Sequence, residues 1–287
     1  MAGVEVLESS RIITRERKSK FVRLFDKTPS EVVCPHFYEL ILSNGCPFDC
    51  TYCYLKLTFR GQTKPNLFCN PWEEVQRELE EISCGLFSTG ELADSLAVVP
   101  PLLDPAIDYF SKQNNKYLLL LTKSTNIRLL LNKTPSRQII VSFSINIPKV
   151  WRMYEKGTPN PLLRLKAAGE LLKRGWRVRI RLDPIVFNGI FNDYKEICKE
   201  IANINPEMVT IGTLRQFPGL YRFSLDAPRE GLIKSSDGRM RYSLEQRLYV
   251  YSKIKEWLRF QPALCKETKE IWRKLGWKFK GCNCTEE

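Results

Sequence analysis

The chain has 287 residues, of which 43% are apolar, and its formal net charge is +13. This length and apolar content are sufficient for one large packed domain with extensions. No run of 18 apolar residues occurs, and the first residues lack a signal-peptide pattern, so we expect a cytoplasmic protein with no membrane span and no disulfides. The single histidine, His36, nearly excludes His-based zinc sites and hydrolases with a catalytic histidine.

Basic side chains concentrate near the two ends, in residues 11–28 and 215–287, whereas residues 29–214 are nearly neutral. Aromatic residues are interspersed among these basic side chains. Because cationic side chains bind phosphates and aromatic rings stack on exposed bases, the pattern favours nucleic acid as a partner. The alternative is a general surface charge that aids solubility, with the aromatic residues in the core.

Strand and helix patterns alternate through the middle of the chain. Apolar runs predict strands at 38–43, 85–88, 117–122, 138–145, 178–183 and 208–212. Helical patterns lie between them, at 71–79, from 105, and at 127–131, 161–174 and 194–202. The alternation predicts an α/β fold, a partial (β/α)6 TIM-like barrel with a C-terminal α+β extension. We expect a basic N-terminal extension (1–33), the barrel (34–217), and a C-terminal subdomain (218–287) with a basic hairpin and a Cys-containing tail.

Three cysteines, Cys46, Cys50 and Cys53, follow the first predicted strand with the spacing C-x3-C-x2-C. Three thiolates on one short loop can bind three irons of a 4Fe–4S cluster and leave the fourth iron open, whereas electron-transfer clusters use four cysteines. The alternative is a zinc-binding or fortuitous cysteine cluster. Zinc sites usually combine two close cysteine pairs, and no second pair is nearby in sequence.

This loop resembles that of the radical SAM superfamily, through the cysteine spacing, the aromatic Tyr52 before the third cysteine, and the α/β context. The resemblance implies two cofactors, a 4Fe–4S cluster and S-adenosylmethionine (SAM). It implies that the open iron chelates SAM and that one electron, from a reductant such as ferredoxin or flavodoxin, cleaves it to a 5′-deoxyadenosyl radical. That radical would take a hydrogen atom from the substrate.

Further polar residues near the predicted strand ends are candidate SAM contacts. Thr89-Gly90-Glu91 matches two of three residues of the superfamily's Gly-Gly-Glu-like turn, whose glutamate holds the methionine ammonium by a charge-assisted hydrogen bond. The alternative is a helix cap, with Ser88 and Glu91 as a capping box. The other candidates could instead pair within the chain, for example Arg179 with Asp183. The predicted cofactor-binding residues are Gly90, Glu91, Lys123, Ser144, Asn146 and Arg181.

A narrower resemblance, over about residues 36–191, is to spore photoproduct lyase and its relatives. The similar segments are 50–55, 69–70 with the Glu-rich helix after it, 121–123, 143–146 and 155–158. This resemblance implies that Tyr52 and Tyr54 relay hydrogen, that Lys123 helps to hold SAM, and that a basic hairpin enters a DNA lesion. The predicted nucleic-acid contacts on that hairpin are Arg239, Arg241 and Tyr242.

One departure affects the expected chemistry. The lyase has a cysteine hydrogen donor after its second strand, and the corresponding run here, residues 90–94, contains no cysteine. Glu91 cannot donate a hydrogen atom to a carbon radical. We therefore expect a lyase-like scaffold with different or displaced chemistry.

Three more cysteines, Cys265, Cys282 and Cys284, lie near the end of the chain. They predict a second metal or cluster site, with Cys34 as a candidate fourth ligand. The alternatives are a radical-quenching thiol on a folded-back tail, or unligated thiols. Four further cysteines have apolar neighbours and are otherwise expected in the core: Cys34, Cys69, Cys84 and Cys198.

These patterns support three hypotheses of function. The first is a radical SAM enzyme acting on nucleic acid, by DNA lesion repair or base modification. The second is a radical SAM enzyme acting on a peptide or small metabolite. The third is a metal-stabilised nucleic-acid-binding protein that does not cleave SAM.

Overall fold

The computed structural model describes residues 12–187 and 189–286, so Arg11 and the rest of the predicted extension's first eleven residues lie outside it. Its strands are β1 Ile13–Arg15, β2 Val22–Phe25, β3 Val32–Val33, β4 Phe37–Leu40, β5 Ser43–Asn44, β6 Asp49–Cys50, β7 Asn66–Phe68, β8 Gly85–Ser88, β9 Lys116–Thr122, β10 Ile139–Ser144, β11 Glu155–Lys156, β12 Arg177–Ile185, β13 Met208–Thr213, β14 Arg215–Gln216, β15 Ile233–Lys234, β16 Met240–Arg241, β17 Ala263–Leu264 and β18 Glu267–Thr268. Its helices are α1 Leu55–Thr58, α2 Trp72–Glu80, α3 Ser95–Val98, α4 Leu103–Ser111, α5 Arg128–Leu131, α6 Pro148–Tyr154, α7 Pro161–Lys173, α8 Tyr194–Ile204, α9 Leu244–Leu258 and α10 Lys269–Leu275.

One large sheet organises the molecule, in the order β17-β13-β12-β10-β9-β8-β4-β2. Every neighbouring pair from β17 to β4 is parallel, and β2 is antiparallel to β4. The six predicted strands are β4, β8, β9, β10, β12 and β13, which are consecutive in this sheet. The predicted α/β fold with a parallel sheet is therefore confirmed.

The two faces of the sheet have different chemistry, as β10 illustrates. Val141 and Phe143 belong to the main apolar core, against which helices α4 and α7 pack. Ser142 and Ser144 alternate with them and project from the opposite face. The same alternation places Arg179 and Arg181 of β12 on this second face. The face away from the core helices therefore combines these polar side chains with a smaller apolar cluster that includes Leu119 and Ile140.

Local sequence signals explain where the longer helices begin and end. Asn160 caps α7 by accepting a hydrogen bond from Leu162 N (2.9 Å), and Pro161 occupies the first turn. Gly175 follows α7 with a φ of +89°, a conformation that favours glycine. Helix α9 begins with a capping box between Ser243 and Gln246.

Both flanking segments contribute to the main sheet, through β2 at one edge and β17 at the other. The tail after α10 also returns to the sheet, where Asn283 N donates to Thr210 Oγ1 (2.9 Å) of β13. Strand pairing thus joins parts of the chain that are distant in sequence, and the three-part division stays a prediction. No helix within the described ranges is long and apolar enough to cross a membrane.

Candidate active site

A cavity of about 440 Å³ opens at the carboxyl ends of the parallel strands. Such strand ends are where ligands bind in parallel sheets, because loops from several strands converge there. The predicted cluster, catalytic and cofactor residues line this cavity, with Asn146 as the exception: Cys46, Cys50, Cys53, Tyr52, Tyr54, Gly90, Glu91, Lys123, Ser144 and Arg181.

The cysteine loop is held by backbone pairing on both sides. Gly45 has a φ of +78°, and a Cβ there would lie 2.2 Å from Lys64 O, so the turn into the loop requires glycine. Cys46 N donates to Thr63 O (2.7 Å). Strand β6 pairs antiparallel with β11, which places Cys50 opposite Glu155. Backbone pairing thus holds the loop on both sides.

Glu155 and Arg164 form a buried ion pair behind this loop. Their carboxylate and guanidinium atoms are 2.6 Å apart, and both side chains are at most 1% exposed. Arg164 also donates to Thr158 Oγ1 (2.6 Å) and to Ser144 O (3.1 Å). The pair therefore ties the cysteine loop to α7 and β10.

The two tyrosines of the loop make different contacts. The Tyr52 hydroxyl donates to the Glu155 carboxylate, and burial together with that carboxylate raises the pKa of Tyr52 well above its ordinary value. Lys123 Nζ lies 5.7 Å from the centroid of the Tyr52 ring. Tyr54, which is 40% exposed, donates its hydroxyl proton to the backbone oxygen of Glu91. Tyr54 thus joins the cysteine loop to the turn after β8.

That turn brings Gly90 and Glu91 to the cavity wall. A Cβ on Gly90 would lie 2.5 Å from Leu121 Cβ, so only glycine allows this approach to β9. The Glu91 carboxylate forms no salt bridge with the residues that the structure describes, and it lines the cavity. A carboxylate in this state is suited to an ammonium group.

Asp94, rather than Ser88, caps the helix after this turn. Its Oδ1 accepts hydrogen bonds from Ala97 N (3.1 Å) and Thr122 Oγ1 (2.7 Å), and its Oδ2 accepts from Lys123 N (2.6 Å). The alternative of a capping box formed by Ser88 and Glu91 is therefore wrong, because α3 begins only at Ser95. Glu91 remains available to the cavity.

Lys123 follows β9 and remains cationic inside the cavity. Burial alone would lower the pKa of Lys123, but Cys50 and Glu155 raise it above its ordinary value. Its ammonium has no salt bridge within 12–187 and 189–286. It is thus a cation beside the cysteine loop whose neighbour there is the Tyr52 ring rather than a carboxylate in a salt bridge.

Ser144 reaches the cavity, but the predicted role of Asn146 is wrong. Strand β10 ends at Ser144, so the alternation does not continue to Asn146. Its Oδ1 accepts from the Tyr194 hydroxyl (2.8 Å) and Ile147 N (2.9 Å), and its Nδ2 donates to Pro184 O (2.9 Å). Asn146 is fully buried and has a structural function.

Arg181 lines the cavity, as predicted for a cofactor contact, and it is also paired with an acidic side chain. Its Nη2 donates to Asp183 Oδ2 (2.7 Å), and Arg215 Nη2 donates to the same atom (2.9 Å). Burial alone would raise the pKa of Asp183, but Arg215 and Arg181 hold it well below its ordinary value. The alternative pair Arg179–Asp183 is wrong, since Arg179 contacts Glu207 at 2.8 Å.

The basic hairpin presents one of its three predicted nucleic-acid contacts. Arg239 lines the cavity and lies 5.1 Å from the centroid of the Phe217 ring. Arg241 is fully buried, 2.6 Å from Asp237, and Tyr242 is 2% exposed. The prediction that Arg241 and Tyr242 contact nucleic acid is therefore wrong, because both side chains are buried in the core of the hairpin.

All ten cysteines are free thiols. Burial raises the pKa of Cys50 to about 12, so metal ligation would have to displace its proton. In the described residues, no three His, Cys, Asp or Glu side chains are close enough to hold a single ion. The motif cysteines nevertheless fit a cluster, because each would bind a different iron and all three line one cavity.

The expected core positions of Cys69 and Cys84 are wrong, since both are exposed.

Sequence reasoning missed two charged side chains, Arg164 and Arg215. Arg164 follows Pro161 by one helical turn and precedes the buried Leu165, so it lies on the apolar stripe of α7. A charge on such a stripe indicates a buried partner, and this signal was available. Arg215 follows β13 and no local pattern marks it.

Comparison with known proteins agrees with this arrangement. The family model described as spore photoproduct lyase matches residues 25–215, about two thirds of the chain. The spore photoproduct lyase of Clostridium acetobutylicum is 25% identical over 178 residues, which cover 58% of this chain and 52% of that protein. The Bacillus subtilis spore photoproduct lyase is 23% identical, over 60% and 53% of the two chains. The chain spans about half the length of the curated relatives it matches.

Solved structures share the fold. A spore photoproduct lyase complexed with dinucleoside spore photoproduct superposes with a TM-score of 0.72 at 19% identity, covering 88% of this chain and 80% of that one. Streptococcus suis SuiB bound to S-adenosylmethionine gives a TM-score of 0.55 at 12% identity, covering 81% and 50%. With a family model that matches most of its length, this chain belongs to the spore photoproduct lyase family.

Proposed function

We propose that this chain is a radical SAM enzyme that acts on nucleic acid, in the repair of a DNA lesion or the modification of a base. The main support is one cavity, lined by the three motif cysteines and by the unpaired Glu91 and Lys123. The sheet around it is a partial barrel of the (β/α)6 type. The structures similar to this chain include a spore photoproduct lyase in complex with dinucleoside spore photoproduct.

The chain's residues have distinct roles in this proposal. Cys46, Cys50 and Cys53 hold a 4Fe–4S cluster, which with SAM supplies a 5′-deoxyadenosyl radical after reduction by a ferredoxin or flavodoxin. Glu91 holds the SAM ammonium through a charge-assisted hydrogen bond, and Lys123 attracts its carboxylate. The surrounding walls exclude water from the reacting groups.

The tyrosines and the hairpin complete the proposed site. The Tyr52 hydroxyl keeps its proton and donates a hydrogen bond to Glu155. Tyr52 can therefore exchange a hydrogen atom only after that hydrogen bond loosens. Tyr54 positions the turn that bears Glu91. Arg239 and Phe217 at the cavity contact a phosphate and a base.

A second candidate is a radical SAM enzyme with a peptide or small-metabolite substrate. The observation in its favour is that Arg241 and Tyr242 are buried, which removes two of the predicted nucleic-acid contacts. A cavity of about 440 Å³ also suits a small ligand.

Reductive SAM cleavage tests both candidates. The protein is reconstituted anaerobically with iron and sulfide, reduced, and given SAM with UV-irradiated DNA, RNA or no polymer. We expect 5′-deoxyadenosine to form, faster with DNA, and Cys50→Ala to abolish it while the exposed Cys69→Ala does not. Cleavage that is indifferent to polymer supports the second candidate, and absence of cleavage in reconstituted wild-type protein excludes both.

A further inference from the structure

Four cysteines outside the motif line the same cavity as the motif itself: Cys34, Cys265, Cys282 and Cys284. They come from three segments that are distant in sequence, namely the connection after β3, the connection after β17, and the tail. Their convergence depends on tertiary contacts alone.

Strand pairing brings Cys34 and Cys265 together. Strand β3 is antiparallel to β18, with Val33 opposite Glu267, so Cys34 and Cys265 lie just beyond the paired residues. Cys265 N also donates to Ile211 O (2.8 Å), which fixes it to β13. The position of Cys265 is therefore determined by two strands.

The tail positions the other two cysteines. Asn283 Oδ1 accepts from Ser142 Oγ (2.5 Å), and Arg179 Nη1 donates to the backbone oxygens of Cys282 (3.2 Å) and Asn283 (3.1 Å). The residue between the two cysteines is thus anchored in the sheet.

Cationic groups lie next to these thiols. Arg181 Nη2 and Arg215 Nη2 each donate to Cys265 Sγ at 3.1 Å. Arg181 is also in electrostatic contact with Cys284, and Lys266 with Cys34. Cations around a sulfur ligand offset the negative charge of a thiolate-bound cluster.

Asn283 supplies an independent indication of a ligand. Its side chain is 1% exposed and lines the cavity, yet its Nδ2 donor has no hydrogen-bond partner among the described residues. A buried amide donor without an acceptor is costly. A cluster sulfide in this cavity would supply the missing hydrogen-bond acceptor.

We propose that Cys34, Cys265, Cys282 and Cys284 bind a second iron–sulfur cluster on the cavity wall. Four cysteines are the usual ligand set of a 4Fe–4S cluster. A mononuclear zinc site is disfavoured, because no three of these thiols within the described ranges enclose a single ion. Each thiol loses its proton to solvent as its Fe–S bond forms, and two ferrous ions, two ferric ions and four sulfides, all supplied externally, complete the cluster without a further oxidant.

The test removes the first cluster and measures the second. The triple variant Cys46→Ala/Cys50→Ala/Cys53→Ala is reconstituted anaerobically with equal amounts of ferrous and ferric iron and with sulfide. We expect about four irons and four sulfides per chain, against about eight in the wild type. Adding Cys34→Ala and Cys265→Ala should remove them, whereas adding Cys69→Ala and Cys84→Ala at exposed positions should not.

A conservative variant separates ligation from folding. In the background of the triple variant, Asn283→Leu should keep the iron but shift the electron paramagnetic resonance signal of the reduced cluster, because a sulfide loses its donor. Zinc in place of iron, about four irons in the wild type, or none in the triple variant would refute the proposal. SAM cleavage is measured separately, so the second cluster and the proposed function can fail independently.

Discussion

Cys50 lies directly opposite Glu155 in the antiparallel pairing of β6 and β11, so a buried carboxylate stands behind the cysteine loop. The Glu155 carboxylate accepts a hydrogen bond from the Tyr52 hydroxyl and also forms an ion pair with the Arg164 guanidinium. Through this one side chain the loop is linked to α7. The geometry of the cysteines therefore depends on a charge that is not itself a ligand.

Glu155→Gln should lower the free energy of unfolding of the metal-free protein by about 3–5 kcal/mol, because it leaves Arg164 as an uncompensated buried charge. Urea unfolding measures this. The matched control is Glu170→Gln, which breaks an exposed pair with Arg174 and should cost about 0.5 kcal/mol or less. Equal effects of the two variants would contradict the assigned role of Glu155.

Gly90→Ala should destabilise the protein by about 1–3 kcal/mol, because the added Cβ would overlap Leu121. It should also weaken SAM binding, since the turn that bears Glu91 must shift. Gly169→Ala is the control, because this helical glycine has only Ile204 Cγ2 at 4.0 Å and alanine there should stabilise by about 0.5–1 kcal/mol. Thermal unfolding and SAM titration distinguish the two. A Gly90→Ala variant that is as stable as the wild type would show that the turn is not tightly packed.

Glu91→Gln should weaken SAM binding to the reconstituted protein by about ten- to a hundredfold, because a hydrogen bond to a charged group contributes about 1.5–3 kcal/mol. Anaerobic calorimetry gives the dissociation constant. Glu200→Gln, at an exposed position, should leave that constant unchanged. An unchanged constant for Glu91→Gln would remove this carboxylate from the proposed SAM site.

Arg239→Ala should weaken DNA binding and lower the slope of log affinity against log salt by about one, because one phosphate contact is lost. Arg128→Ala, on an exposed part of α5, is the surface control and should change neither quantity. Arg241→Ala should instead lower the melting temperature, since it removes the buried guanidinium that is 2.6 Å from Asp237. DNA binding that depends on Arg128 as much as on Arg239 would favour a nonspecific surface charge.

Glu207→Gln should destabilise the protein at neutral pH by about 1–3 kcal/mol, with an effect that depends on pH. Burial alone would raise the pKa of Glu207, but Arg177 and Arg179 lower it. A lowered pKa means that this stabilisation is complete above the ordinary glutamate pKa and is lost as the pH falls below it. Wild type and variant should therefore converge in urea midpoint in acid, as the pH falls through the lowered pKa of Glu207. A difference that persists unchanged in acid would show that the charge of Glu207 is not the cause.

Sequence patterns were sufficient for the parallel strands and for the motif loop. Strand β9 is a continuous apolar run, and the motif cysteines lie within eight consecutive residues, so local composition determines both. The burial of Arg241 and Asn146 was not predictable in the same way. Their partners, such as Glu267 and Tyr194, are brought to them by strand and helix packing that the local sequence does not encode.

By itself the sequence determined which residues can bind iron at the motif, because a spacing of a few residues limits how far their sulfurs can separate. Only the tertiary structure decided which distant groups share the cavity: Glu155 behind Cys50, Arg215 beside Cys265, and Asn283 within the sheet. The physical reason is that these contacts form only when strand pairing brings separated segments together and buries them. A buried charge without a partner is unfavourable, so each buried charge lies beside a group that can pair with it.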